Sequence, residues 1–209
     1  MPRFPDSLYD PSPPDPMAVV KPFLTRDPQW IVLGGLGDGN EAQCALRHWP
    51  AVQLIGVDLD PRAITTQQRA GWPAGHPLLQ VALGAEVGVH RATLDQLNCA
   101  SIHPSVVKAS PGPYRNVAAT TLDLLEASYG PFDDCLLWLD LEGWDSEALH
   151  GGVGLLGSGR VLLLNIEVRY ETEAENRDMS ELLGLLGYVR VWVWFRQWWG
   201  HNELWVKNT

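Results

Sequence analysis

The sequence predicts an α/β domain built on a mostly parallel sheet with helices on both faces. Three observations carry that expectation. Apolar runs at residues 30–34, 53–57, 78–82, 135–139 and 161–166 have the length and texture of buried strands. Segments of helical character separate them, which is the alternation of a parallel sheet. A glycine-rich stretch, Ile31-Val-Leu-Gly-Gly-Leu-Gly-Asp-Gly-Asn40, joins the first strand to the first helix.

Each element has a local reason. Residues 1–24 read as an arm. The run Pro11-Ser-Pro-Pro-Asp-Pro16 is too rich in proline for regular structure, and residues 17–24 can form a short helix. The domain proper is expected over 25–209. A strand at 30–34 leads through the glycine turn to a helix at 40–48. The strand at 53–57 ends at Asp58, and the helix at 61–69 carries Pro61 in its first turn. A third strand is expected at 78–82. Small and polar residues fill 84–113, which reads as a long loop. A short strand at 117–120 precedes a helix at 121–128, with Thr120 or Thr121 as its cap. The strand at 135–139 ends at Asp140-Leu-Glu142-Gly143. A helix at 146–156, a strand at 161–166 and a helix at 177–186 stopped by Gly187 follow. Strands at 189–195 and 203–206, joined around Gly200, form a final antiparallel hairpin.

Composition bounds the function. The chain has 209 residues, a hydrophobic fraction of 45% and a net charge of −10. That length suits one α/β domain. The acidic balance argues against a large nucleic-acid surface, which needs basic side chains. No apolar stretch approaches the roughly 20 residues needed to span a bilayer. The start, Met1-Pro-Arg-Phe-Pro-Asp, lacks the apolar core of a secretion signal. Cys44, Cys99 and Cys135 form neither a zinc pattern nor a disulfide framework. A cytoplasmic location is the simplest expectation.

The glycine turn and Asp58 suggest a nucleoside cofactor. Bare main chain allows close approach of a ligand, and an acid at the tip of the second strand can hold two ribose hydroxyls. The glycines fall at Gly35, Gly37 and Gly39, and Asn40 stands where the dinucleotide fingerprint needs glycine. The spacing therefore favours S-adenosylmethionine, which has no phosphate to cradle. Asp38, Asn40 and Leu59 lie beside these residues as further cofactor contacts. The plainer readings are a strand-to-helix turn for the glycines and a helix-start acid for Asp58. Asp60, just before Pro61, is expected to be the helix cap.

Four stretches resemble the FkbM-type S-adenosylmethionine-dependent methyltransferases, over roughly residues 30–190. They are Leu33-Gly-Gly-Leu-Gly-Asp-Gly39, Gly56-Val-Asp-Leu-Asp-Pro61, Thr121-Leu-Asp123 and Leu139-Asp-Leu-Glu-Gly-Trp-Asp145. The last is the most specific and is followed by Leu149-His-Gly151. The chain departs from the family's pattern at Leu33, Leu36 and Gly37, where the family has aspartate, alanine and asparagine. Trp138 stands where the family has lysine, and Asp145 replaces a glutamate. The resemblance implies a class I, Rossmann-like seven-stranded sheet. It also implies methyl transfer to a small acceptor, most simply a hydroxyl on a sugar or natural product. Asp38 or Asn40 would then supply the polar group that Leu33 does not offer the cofactor.

In such a sheet the ligand sits at the carboxyl ends of the strands. Ala82 and Leu83, with Gly84, would face the adenine through their backbone. Asp140 and Glu142 would orient the acceptor or take its proton. They could equally cap the helix after Gly143 or pair with a buried arginine. A divalent metal there is conceivable but not favoured, because only oxygens are offered. Glu167, with Asn165, would reach the acceptor or simply end a strand. His103 is a candidate base near neutral pH, and His150 a weaker one. Ser101 and Asn98 are either ligand contacts or turn formers. Trp192, Trp194, Trp198, Trp199 and Trp205 read as sheet core, an acceptor-stacking wall or a homo-oligomer contact. Two other functions remain open: a nicotinamide-dependent oxidoreductase, and a binding protein of this fold without turnover.

Overall fold

A computed structural model of the chain describes residues 15–37, 39–94, 100–104, 107, 112–170, 173–194 and 200–208. The chain enters through α1 (Pro16–Val20), a 3-10 turn (Lys21–Phe23), β1 (Trp30–Gly34), α2 (Glu41–His48), β2 (Gln53–Asp58) and α3 (Pro61–Arg69). It continues through β3 (Leu78–Gln80), β4 (Ala82–Leu83), β5 (Gly88–Thr93), β6 (Tyr114–Thr120), α4 (Leu122–Tyr129) and β7 (Cys135–Leu139). The remainder is α5 (Asp145–His150), α6 (Val153–Gly157), β8 (Val161–Arg169), α7 (Glu173–Leu185), β9 (Tyr188–Trp194) and β10 (Gly200–Lys207). Among the described residues no helix is long and apolar enough to cross a membrane.

The main sheet has seven strands in the order β3-β2-β1-β7-β8-β10-β9. The pairs from β3 to β8 are parallel, and β10 runs antiparallel to both β8 and β9. This is the mostly parallel sheet with a terminal hairpin that the sequence predicts. The chain leaves β1 toward β2 on one side and reaches β7 on the other. A crevice therefore opens between the carboxyl ends of β1, β2 and β7.

Each face of the sheet has its own core. One face carries Val32, Ile55, Leu137, Leu139 and Ile166, covered by α4, α5, α6 and α7. The other carries Ile31, Leu33, Leu136 and Leu163, covered by α1 and α2. Burial on both faces explains why β1 and β7 read as continuous apolar runs. The arm joins the second core, since Met17 and Val20 are fully buried. Its helix starts on Asp15, whose carboxylate accepts from Ala18 N at 3.2 Å.

Caps set the helix boundaries. Asp60 accepts from Arg62 N at 2.7 Å, and Pro61 opens α3. Thr121 Oγ1 accepts from Leu124 N at 3.0 Å and starts α4. Asp123 serves another helix: its two oxygens accept from Gly154 N at 3.0 Å and Leu155 N at 2.7 Å. The Thr-Leu-Asp motif thus caps two helices within three residues.

Several expectations need correction. The strand expected at 78–82 is two strands in two sheets: β3 pairs with β2, and after Val81 the chain passes to β6 as β4. The loop expected at 84–113 contains β5, which forms a three-stranded sheet in the order β4-β6-β5. This strand escapes a reading by periodicity because it is half-exposed; Val89 is 70% exposed and points outward. The helix expected at 146–156 breaks at Gly151 and Gly152. A Cβ at Gly151 would lie 2.0 Å from Gly84 O, so the break lets two backbones touch. Strand β8 runs three residues beyond its expected end, to Arg169.

Phe132 is fully buried, its ring 5.0 Å from that of Trp30. Phe132→Ala is expected to cost about 3–5 kcal/mol by urea unfolding, and a loss under about 1 kcal/mol would contradict this packing.

Candidate functional site

A cavity of about 350 Å³ opens in the crevice between β1, β2 and β7. Its floor is the glycine loop. Gly35 and Gly37 have φ of +76° and +47°, and a Cβ at Gly35 would lie 1.8 Å from Asp140 O. Glycine is needed there both for its conformation and for the close approach of the chain leaving β7. The loop is held on one side by Gly35 N donating to Val57 O at 2.9 Å.

Asp58 braces the rest of the loop. Its Oδ2 accepts from Leu36 N at 2.7 Å and Gly37 N at 3.1 Å. Its Oδ1 accepts from Asp60 N at 2.7 Å. A carboxylate offers about four lone-pair sites, so three are already taken. The sequence predicts a bidentate grip on two ribose hydroxyls; the geometry leaves room for one such bond while the loop stays braced. Burial raises the Asp58 carboxyl above the usual range, while bonds from Asp60, Gly37 and Leu36 N–H pull it down.

The cavity brings together most of the residues the sequence singles out. Gly35, Gly37, Gly39, Asp58, Leu59, Ala82 and Leu83 line it, as do Asp140, Glu142 and Glu167. Asn40 does not line it: this residue is exposed, and its Oδ1 accepts from Cys44 Sγ at 3.4 Å. Asp38, Asn98, Trp198 and Trp199 lie outside the described residues. His103 sits behind the cavity wall. It is buried, packs edge-on against Trp144 at 5.9 Å, and its Nε2 is 3.5 Å from Glu175 Oε1. Ser101 donates to Glu142 O at 3.2 Å and accepts from His103 N at 3.0 Å. His150 is away from the cavity, with Nε2 2.6 Å from Asp178 Oδ2.

Asn165 is also placed differently from the expectation. It is fully buried within β8, where its Oδ1 accepts from Trp194 Nε1 at 2.9 Å. Glu167 lies two residues farther along, on the same strand face, and does line the cavity. Trp194 and Trp205 are buried in the sheet, whereas Trp192 is 45% exposed beside Phe23.

The carboxyl ends of β7 and β8 gather acids. Glu142 is ion-paired to the half-buried Arg169. Its φ of +55° is uncommon for a residue with a side chain, and Gly143 follows at +87°. Such a conformation costs about 1–3 kcal/mol and is typical of functional turns. The Asp140 and Glu167 carboxyls are neighbours at the ends of β7 and β8, and each bears on the other's ionisation. Burial first, then the neighbouring charges, raises both, most strongly Glu167; Arg169 opposes this. Glu167 Oε2, Trp144 Nε1 and Asp145 Oδ1 are buried without a hydrogen-bond partner. Among the described residues no group of three or more His, Cys, Asp or Glu is arranged to hold a metal ion.

Sequence reasoning passes over three of these features. Glu41 and Trp144 line the cavity, and Arg169 neutralises Glu142. The signals are present: Glu41 follows the glycine loop, Trp144 lies inside the fourth motif, and Arg169 alternates with Glu167.

Asp145 tests these electrostatics. Burial and the charge of Asp140 push its carboxyl well above the usual range. The native state therefore binds a proton that the unfolded chain has lost, and stability falls as pH rises from the ordinary carboxyl value to the raised one. Asp145→Asn keeps an acceptor for Leu141 N and removes the charge. It is expected to raise the unfolding midpoint more at neutral pH than at about pH 5. An unchanged or lower midpoint at neutral pH would contradict this assignment.

No family model matches the sequence, and no curated protein matches it. Solved structures share the fold. An FkbM methyltransferase from Methylobacillus flagellatus KT superposes with a TM-score of 0.61 at 12% identity, covering 86% of this chain and 44% of that one. This chain therefore spans less than half of that structure. A candidate rRNA methylase from Clostridium thermocellum gives a TM-score of 0.51 at 11% identity, covering 92% and 93% of the two chains. Aeropyrum pernix fibrillarin, solved with natively bound S-adenosyl-L-methionine, gives 0.50 at 10% identity, covering 87% and 66%. The chain thus has the class I, Rossmann-like methyltransferase fold, and a solved FkbM methyltransferase is among its structural neighbours.

Proposed function

We propose that this protein transfers a methyl group from S-adenosylmethionine to a small acceptor, at a hydroxyl oxygen on a sugar or natural product. One observation carries the reading. The cavity at the strand-order reversal is floored by glycine main chain and lined by carboxylates. Among its described lining residues there is no lysine, arginine or histidine. A pyrophosphate needs donors and positive charge, and this lining offers neither in its charged side chains. A cationic sulfonium compound suits it. The hydroxyl and the sugar come from the family resemblance, and the acidic cavity disfavours phosphorylated acceptors.

When bound, the cofactor supplies an electrophilic methyl carbon on a positively charged sulfur. The chain's own residues do the rest. Asp58 keeps the glycine loop in place beneath the nucleoside. The apolar side chains of Leu36 and Leu83 exclude water from the cavity wall. Asp140, at the tip of β7, orients the acceptor hydroxyl and takes its proton as the oxygen attacks. Aligning the attacking oxygen with the leaving sulfur is the larger part of such catalysis. Proton removal adds about 10²–10⁴-fold.

Calorimetry and turnover test this together. The protein should release heat with S-adenosylhomocysteine and none with NADH. It should also form S-adenosylhomocysteine from S-adenosylmethionine in the presence of a hydroxyl acceptor panel. Asp140→Asn should lower that turnover by about 100-fold. Tight NADH binding without heat from S-adenosylhomocysteine would favour a dinucleotide enzyme. Binding of S-adenosylhomocysteine with no turnover on any acceptor would favour a non-catalytic role.

A further inference from the structure

We infer that Asp140 and Glu167 form a receptor for an ammonium group carried by the acceptor, so that the acceptor combines an amine with the hydroxyl that is methylated. This deepens the methyltransferase reading and rests on it.

Six carboxylates line the cavity: Glu41, Asp58, Asp60, Asp140, Glu142 and Glu167. Most already have work. Asp58 is taken up by three main-chain amides. Asp60 caps α3 and pairs with Arg62 at 2.5 Å. Glu142 pairs with Arg169. Glu41 belongs to the loop side, since a Cβ at Gly39 would lie 2.0 Å from its Oε2. Asp140 and Glu167 remain, side by side at the ends of β7 and β8.

Glu167 supplies the observation that points to a ligand. It is only 3% exposed, it lines the cavity, and its Oε2 has no hydrogen-bond partner. A buried acceptor without a donor is costly, and a donor that arrives with the ligand would relieve that cost. An ammonium fits. It brings three donors and a positive charge, and it can serve both carboxylates at once. The walls of the cavity include the indoles of Trp138 and Trp144, a ring type whose face also attracts a cation.

The charges balance. Burial and the acids' mutual repulsion favour a proton on the pair when no cation is bound. An arriving R–NH3⁺ lies between two ionised carboxylates, and the displaced proton leaves to solvent. The other charges facing the pair are Asp58 from β2, Glu142 from the turn after β7, Asp145 from the start of α5, and Arg169 from β8. Glu142 offsets the charge of Arg169, which weakens its repulsion of the newcomer. Once the proton has gone, Asp140 is ionised and able to take the hydroxyl proton. The amine thereby switches on the base.

The test uses the full chain saturated with S-adenosylhomocysteine, with ethanolamine and ethylene glycol as matched probes followed by NMR titration and calorimetry. Ethanolamine should bind at least about tenfold more tightly, a difference of about 1.4 kcal/mol. Its heat should vary with the ionisation enthalpy of the buffer, reporting the released proton. Glu167→Gln should reduce the preference to about twofold or less while S-adenosylhomocysteine affinity stays within about threefold. Asp140→Asn is the second variant and should do the same. Equal affinity for the two probes, including no binding of either, overturns the inference, as does a preference that survives both variants. Loss of S-adenosylhomocysteine affinity in Glu167→Gln, with the amine preference intact, would give the ammonium site to the cofactor and also overturn it. Failure of the unaltered protein to bind S-adenosylhomocysteine would instead remove the methyltransferase reading beneath it.

Discussion

Three main-chain amides converge on the carboxylate of Asp58, and the shape of the cavity depends on them. Leu36 and Gly37 belong to the glycine loop, and Asp60 begins the next helix. One side chain at the end of β2 therefore fixes both the turn after β1 and the entry to α3. Hydrogen bonds to a charged group are each worth about 1.5–3 kcal/mol, enough to hold a loop whose glycines would otherwise sample many conformations. The same bonds keep a buried acid from rising further out of the carboxylate range. With the loop held, Gly35 can press against the Asp140 carbonyl, and the ends of β1, β2 and β7 become one surface.

That surface is electrostatically costly. The turn after β7 puts Glu142 in a left-handed conformation, and it concentrates Asp140, Glu142 and Asp145 within six residues. Arg169 offsets them at close range through its pair with Glu142. A fold selected for stability alone would not place protonated or unpartnered acids at its strand tips. Their presence beside a cavity of about 350 Å³ makes sense when a positively charged ligand completes the site. Two cations meet that description, the sulfonium of the cofactor and an ammonium of the acceptor.

How much of this is legible in the sequence follows the physics of each segment. The bounds of β1 and β7 are readable because apolar runs end at glycine or acid, and the start of α3 because Asp60 and Pro61 mark it. β5 is not, because Gly88-Val-His-Arg-Ala-Thr93 shows no apolar alternation and its largest apolar side chain, Val89, points outward. The break between α5 and α6 is hidden because glycine in a helical pattern signals a stop only when something packs against it, and here Gly84 does. The topology expected from the sequence already brings Asp58, Asp140 and Glu167 near one another. That Asp58 commits three acceptor sites to backbone is not visible there, since amide directions are set by tertiary structure. Asn40 shows the same limit: it is adjacent to the loop in sequence, yet it faces solvent.

If the braced loop is the floor of an S-adenosylmethionine site, a crystal structure grown with S-adenosylhomocysteine examines it most directly. The nucleoside should lie over Gly35 and Gly37, with a ribose hydroxyl on the remaining acceptor site of Asp58 and the thioether facing Asp140. Density for the ligand elsewhere, or a crevice that stays empty in saturated crystals, would contradict it.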